Sequence, residues 1–117
     1  MTSSSVGTYL RFLRKRSGLS QRELAGILGT VTTTQISRHE RSVTPPTLIA
    51  AFGYQVVFQK PVADIFPGLY HTIETGILER LEEFERELGD STAKGRAAAS
   101  VARRMEWLCE RKESEPA

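Results

Sequence analysis

The residues with most chemistry to offer lie in the run SQRELAGILGTVTTTQISRHE, positions 20–40. Its second half, continued to Arg41, carries Thr33, Thr34, Gln35, Ser37, Arg38, His39 and Arg41, with Ile36 as its one strongly apolar residue. Hydroxyl, amide and guanidinium groups crowded on one short segment are directional hydrogen-bonding groups, suited to reading a polar surface. Bond-breaking chemistry finds no such concentration. No nucleophile with a base and no working pair of carboxylates can be assembled, so no enzymatic activity is expected. His39, His71 and Cys109 are the only imidazole and thiol groups, too few for a zinc framework at the usual spacings, and neither metal nor cofactor is expected. The stretch Gly89-Asp90-Ser91-Thr92-Ala93-Lys94-Gly95 superficially suggests a phosphate loop. Its Lys and Gly are transposed and no strand precedes it.

The elements that must position this segment are helical. Tyr9, Leu10, Phe12 and Leu13 supply an apolar face to a first helix whose other face holds Arg11, Arg14, Lys15 and Arg16, and Ser17-Gly18 stops it. Ser20-Gln21-Arg22-Glu23 has the spacing of a capping box and starts a second helix, with Leu24, Ala25, Ile27 and Leu28 inward and Gly29 at its end. Thr32-Thr33-Thr34-Gln35 repeats that spacing and starts a third, to about Arg41. A helix that buries so little must be held by its neighbours while it presents polar groups outward. Pro46 suits the first position of a fourth helix, with Leu48, Ala51, Phe52, Val56 and Phe58 inward and Tyr54 at the edge. A short fifth helix through Val62, Ile65 and Phe66 precedes Pro67-Gly68.

Beyond that point two longer helices are expected. Ile77, Leu81, Phe84 and Leu88 follow a 4-3-4 spacing, and Ala98, Val101, Met105 and Leu108 a 3-4-3 spacing. Each stripe is too short for a free-standing coiled coil. Residues 74–90 sum to −5 and residues 91–117 to +2, which favours antiparallel docking of one segment on the other, within a chain or between two. The acidic run Glu79, Glu82, Glu83, Glu85 and Glu87 reads as a solvated or docking face.

The 117 residues carry 16 basic and 14 acidic side chains, a net +2. Split at Gly68, the sum separates into +5 and −3. A basic part joined to an acidic one suggests a polyanion-binding unit with a different kind of appendage. The expected domains are a flexible arm at 1–8, an all-α five-helix domain at 9–68, a two-helix extension at 69–113 and a tail at 114–117. A lone cysteine, the lack of a signal-like stretch in Met1 to Arg16 and the lack of about 18 consecutive apolar residues point to the cytoplasm and away from membranes.

Two helices that brace each other across a short turn can project the second from the surface, so that its amino-terminal end enters a major groove. Such packing needs a small residue where the helices cross, a sharp turn, and one apolar anchor a turn into the projecting helix. Ala25, Gly29 and Ile36 fit. Leu24-Ala25, Leu28-Gly29, Ile36-Ser37-Arg38 and Glu40, followed by Pro46-x-Leu48 and Val62-Ala63-Asp64-Ile65-Phe66, resemble the phage-repressor helix-turn-helix family of Cro/cI or XRE type. The resemblance spans residues 9 to about 68. It implies a lambda-repressor-like fold and a transcription regulator, of repressor kind, that binds double-stranded DNA as a homodimer on a roughly palindromic site. It assigns Thr33, Thr34, Ser37 and Arg38 to base edges, with Arg38 able to donate two bonds to guanine. Amides near Gln21 and Arg22, at the start of the second helix, resemble the family's phosphate clamp. Gln35, Arg41, Thr44 and Lys15 are further phosphate candidates, Gln35 being divided between phosphate and its capping bond. The homodimer interface is expected on Ile77, Leu81, Phe84, Leu88, Val101, Met105 and Leu108. The alternative function is an antitoxin-like module whose carboxy-terminal helices bind a partner protein, with autoregulatory DNA binding.

Three positions depart from the family. Gly29 to Ile36 is one residue longer than usual, the extra one being Thr30 or Val31. If Val31 plugs the apolar turn site the helices keep their angle, and otherwise the third helix is tilted. Ser42 replaces a glycine, which implies a different loop path, and His39 replaces an apolar residue, which implies a thinner core behind the third helix.

Overall fold

The computed structural model describes residues 8–114, and all of its regular structure is helical: α1 (Leu10–Arg16), α2 (Gln21–Leu28), α3 (Thr33–Glu40), α4 (Leu48–Phe58), α5 (Val62–Ile65), α6 (Pro67–Gly89) and α7 (Arg96–Glu113). The chain divides into two compact units, Met1–Ile73 and Glu74–Ala117. No helix among the described residues is long and apolar enough to cross a membrane.

Both capping boxes form. Ser20 Oγ accepts from the Glu23 amide at 3.0 Å while the Glu23 carboxylate accepts from the Ser20 amide at 2.9 Å. Thr32 and Gln35 repeat the exchange at 3.1 and 2.8 Å. These bonds satisfy donors that the first turn of a helix otherwise leaves without partners. Gly29 closes α2 with φ of 74°, a left-handed conformation that glycine adopts without steric cost.

In the first unit one buried residue or more from each of α1 to α5 meets in a single core: Leu10 and Leu13, Leu24, Ile36, Ala50 and Tyr54, Ile65, with Phe66 just beyond α5. Leu19, Ala25, Leu28, Val31, Val57, Phe58 and Val62 pack around it. At Gly53 a β-carbon would stand 2.5 Å from Leu28 Cδ2, so the missing side chain is what lets Leu28 of α2 lie on α4. The beginning of α1 is tied to the end of α5, since the Tyr9 amide donates to the Ile65 carbonyl at 2.7 Å. Thr8, expected in the arm, is buried; its hydroxyl donates to the same carbonyl and accepts from the Leu10 amide. The rest of the expected arm, residues 1–7, and residues 115–117 of the tail lie outside the described residues.

Five expectations change. Ile27 of α2, expected inward, is exposed. Tyr54 is fully buried at the centre of the core, while Leu48, Phe52 and Val56 face outward. Around a helix as apolar as α4, polarity does not mark which side is inside. On α1, Leu10 and Leu13 are buried whereas Tyr9 and Phe12 are exposed, and Arg14 is buried with the leucines. Helix α4 starts at Leu48, after Pro46, because the Thr47 hydroxyl caps the Ala50 amide. Finally, Pro67-Gly68 opens α6, since proline has the φ and the missing N–H that suit a first turn.

The second unit holds the rest of α6 together with α7. Leu88 and Leu108 are buried, Leu81, Phe84, Val101 and Met105 are half-buried, and Ile77 is exposed. The Lys112 ammonium of α7 reaches the Glu85 carboxylate of α6 at 2.8 Å. Each stripe thus buries its last residue within one chain, while its middle residues are only half covered.

The core makes an unequal prediction for two neighbours on α2. Leu24→Ala is expected to lower the unfolding free energy by about 2–5 kcal/mol, and Ile27→Ala, on the exposed side, by under about 0.5 kcal/mol. Urea denaturation of the full chain checks this, and equal losses would contradict the core described.

Candidate nucleic-acid interface

Helix α3 is held from behind by three buried residues, Ile36, His39 and Glu40. Ile36 enters the core directly. Glu40 is not left alone there. Its carboxylate accepts from Arg14 Nε and, at 3.1 Å, from Arg14 Nη2, while Gln21 Nε2 donates to it at 3.0 Å. Arg14 Nη1 donates to the Leu19 carbonyl at 2.9 Å. One ion pair thus ties the end of α3 to α1, to the start of α2 and to the chain between them. The hydrogen bond to Glu40, and then its charge, hold the Arg14 guanidinium above its ordinary pKa against the opposing effect of burial.

His39 does not thin the core. Its Nδ1 shares a 2.7 Å hydrogen bond with the Tyr54 hydroxyl, and the two rings meet edge to face with centroids 5.8 Å apart. Burial pushes the His39 imidazole below its usual pKa, which favours the neutral ring. Burial, and secondarily the charge of Glu40, push the Tyr54 phenol well above its usual range. Tyr54 in turn packs on Phe66 at 5.9 Å.

The two loops around α3 keep their shape despite the departures in sequence. Val31 packs against the core, so the longer turn still carries an apolar plug. After α3 the Val43 amide donates to the Arg38 carbonyl at 2.9 Å and the Ser42 amide to the His39 carbonyl at 3.2 Å, with Ser42 at φ of 60°. That is the bonding of a Schellman cap, which favours glycine at its left-handed position. The serine adopts the glycine-like conformation instead of a different path.

With α3 fixed, Thr33, Thr34, Arg38 and half-buried Ser37 lie on its outer side. Arg41 Nε donates to Ser37 Oγ at 3.3 Å. Lys15 and Arg41 line one cleft of about 510 Å³ with Arg11, Tyr9 and Phe12. Arg22 and Thr44 are exposed. Two expected phosphate residues have other engagements: the Gln21 side chain is on Glu40, and the Gln35 carbonyl oxygen caps Thr32. What α2 offers to an anion at Gln21 and Arg22 is its first-turn amides, which have no acceptor within the helix. Among the described residues no cluster of His, Cys, Asp and Glu could hold a metal ion.

Arg14, Glu40 and Tyr54 are the site residues that sequence reasoning missed. Their spacing carried a signal, since Arg14 follows Leu10 by four, Glu40 follows Ile36 by four and Tyr54 follows Ala50 by four, each on a buried face. Two predictions follow from this arrangement. Glu40→Leu leaves Arg14 buried and unpaired and is expected to cost about 3–5 kcal/mol, most of which Arg14→Met in the same chain restores; urea denaturation of the two variants checks it, and additive losses would contradict it. His39, with its folded pKa lowered, contributes stability that is present above its unfolded pKa of about 6.5 and is lost as pH falls from there through the folded value. Thermal midpoints should fall across that window in the native chain and less in His39→Gln, and an NMR-titrated His39 pKa at or above 6.5 would contradict the assignment.

Residues 10–65 match the helix-turn-helix family model. No curated protein and no solved structure gave a significant match to the chain. The two braced helices, the polar outer side of α3 and the family match agree: residues 10–65, just under half of the chain, form a helix-turn-helix domain of XRE type, the kind found in DNA-binding transcription regulators.

Proposed function

We propose that the protein is a sequence-specific transcriptional repressor that binds a roughly palindromic operator as a homodimer in the cytoplasm. The observation that carries this reading is that α3 is clamped by Ile36, His39 and Glu40 while its opposite side is left polar and open. Thr33, Thr34, Ser37 and Arg38 meet base edges, Arg38 as a two-bond donor to guanine and the threonine methyls against thymine methyls. Lys15, Arg22, Arg41, Thr44 and the amides of Gln21 and Arg22 meet phosphates and set the register, with Gln35 supporting them through the cap it forms. One such module touches few base pairs, so useful specificity calls for two copies about one helical turn apart. A dimer seated across a promoter represses by occupying it.

A second reading attaches to the other unit. Helix α6 is acidic, and Leu78, Leu81 and Leu108 line a cleft of about 350 Å³ beside Glu79, Glu82 and Glu85. That combination favours a protein partner, as in an antitoxin that also represses its own promoter. A partner of defined mass that co-purifies with the native chain and is lost with Leu78→Lys would support it.

Selection of bound duplexes from a random library tests the main reading. A palindromic pair of half-sites is expected. On the enriched duplex Arg38→Ala should cost about 1–3 kcal/mol and relax one position per half-site, whereas Lys15→Ala should weaken all sequences alike and lower the salt slope by about one. No enrichment, or an Arg38→Ala variant with unaltered affinity and preference, would contradict it.

A further inference from the structure

Helix α4 is apolar on all sides. Its eleven residues, LIAAFGYQVVF, include no charge, and only Tyr54 and Gln55 have polar side chains. A helix of that composition belongs inside an assembly. Within the first unit, only one side is covered. Ala50, Ala51 and Tyr54 are buried, but Leu48, Ile49, Phe52 and Val56 are 69%, 67%, 55% and 76% exposed. At about 100° per residue these four fall within roughly 100° of arc, opposite the buried side.

We propose that this face of α4 is where two copies of the chain pair, about a two-fold axis. Charge selects the occupant. The exposed Tyr9 and Phe12 of the same unit share their clefts with Arg11, Lys15, Arg16, Arg41 and Lys60 against only Asp64 and the already paired Glu40, so copies joined there would bring a net positive surface against itself. A two-fold contact places a surface against itself, and α4 meets itself with no charge of either sign. An acidic or basic partner would gain no ion pair on it. Area is compatible: the four residues leave open roughly 500 Å² per copy, in the upper range of single apolar patches and more than half of the ~800 Å² that each partner gives to a standard interface. The carboxy-terminal stripe has less to give, because its Leu88 and Leu108 are already buried within one chain. The proposal rests on the two-copy reading above for its need of a partner, and it moves the pairing surface from the carboxy-terminal helices to α4.

The test is the mass of the full chain in solution without DNA, by sedimentation equilibrium or light scattering at tens of micromolar. The native protein is expected at about 26 kDa, twice the 13.1 kDa of one chain. Phe52→Lys with Val56→Lys should halve that mass and leave the helical circular dichroism unaltered. Should that pair fail to fold, the milder Ile49→Gln with Val56→Thr should weaken dimerisation at least tenfold. A monomeric native chain would overturn the proposal, as would α4 variants that remain dimers. So would loss of the dimer only on charging the exposed Ile77 of α6 and Trp107 of α7, as Ile77→Lys with Trp107→Lys, which would return pairing to the carboxy-terminal helices. Library selection separates the two ideas. A monomer that enriches single half-sites sinks the α4 interface and spares DNA reading, and a dimer that loses its partner through α4 but enriches nothing does the reverse.

Discussion

The first unit depends on one buried ion pair. Arg14 and Glu40 meet where charge is expensive, and each is bonded three times: the carboxylate takes two bonds from Arg14 and one from Gln21, and the guanidinium adds the Leu19 carbonyl. Desolvating two charges offsets much of their attraction, so the pair is a weak source of net stability. Its geometry is what matters. A hydrophobic contact fixes a distance, whereas a two-pronged guanidinium–carboxylate contact also fixes an orientation. Helix α3 buries little besides Ile36, His39 and Glu40, and without the pair its angle to α1 and α2 would rest on one isoleucine and one histidine.

Polar groups recur on the hidden side of α3. His39 and Tyr54 complete the layer behind it with a hydrogen bond where the family carries an apolar residue. Each group has a partner, and among the described residues no buried side-chain nitrogen or oxygen lacks one. The exposed side of the helix is thereby left free of structural duty except for the Thr32–Gln35 cap and the Arg41–Ser37 bond. The surfaces of the unit divide accordingly, into a cationic region around α1 and the end of α3 and a charge-free face on α4.

Local signals in the sequence were legible, and signals that depend on the neighbours were not. The Ser20–Glu23 and Thr32–Gln35 boxes and the Gly29 turn are written in residue types a few places apart, and the structure forms them. So are the exposed positions of Thr33, Thr34 and Arg38. Arg14 falls on the polar face of the first helix by residue type, because a charge is usually exposed, and only a partner 26 residues away makes it interior. Tyr54 was set at an edge because α4 offers no polar side against which to orient it. Pro67-Gly68 stands at the end of the expected five-helix domain yet opens α6, because proline both ends helices and begins them. Ser42 shows the converse, a residue type that argues against a left-handed turn the neighbouring hydrogen bonds nonetheless impose.

The central claim is that the outer side of α3, held from behind, is what touches DNA. Amide chemical-shift mapping tests it most directly, with isotope-labelled full chain titrated with a duplex enriched from a random library. The account predicts the largest changes at residues 21–23, 33–38 and 41–44, with α7 little affected. Largest changes within residues 74–114, and an unmoved α3, would contradict it.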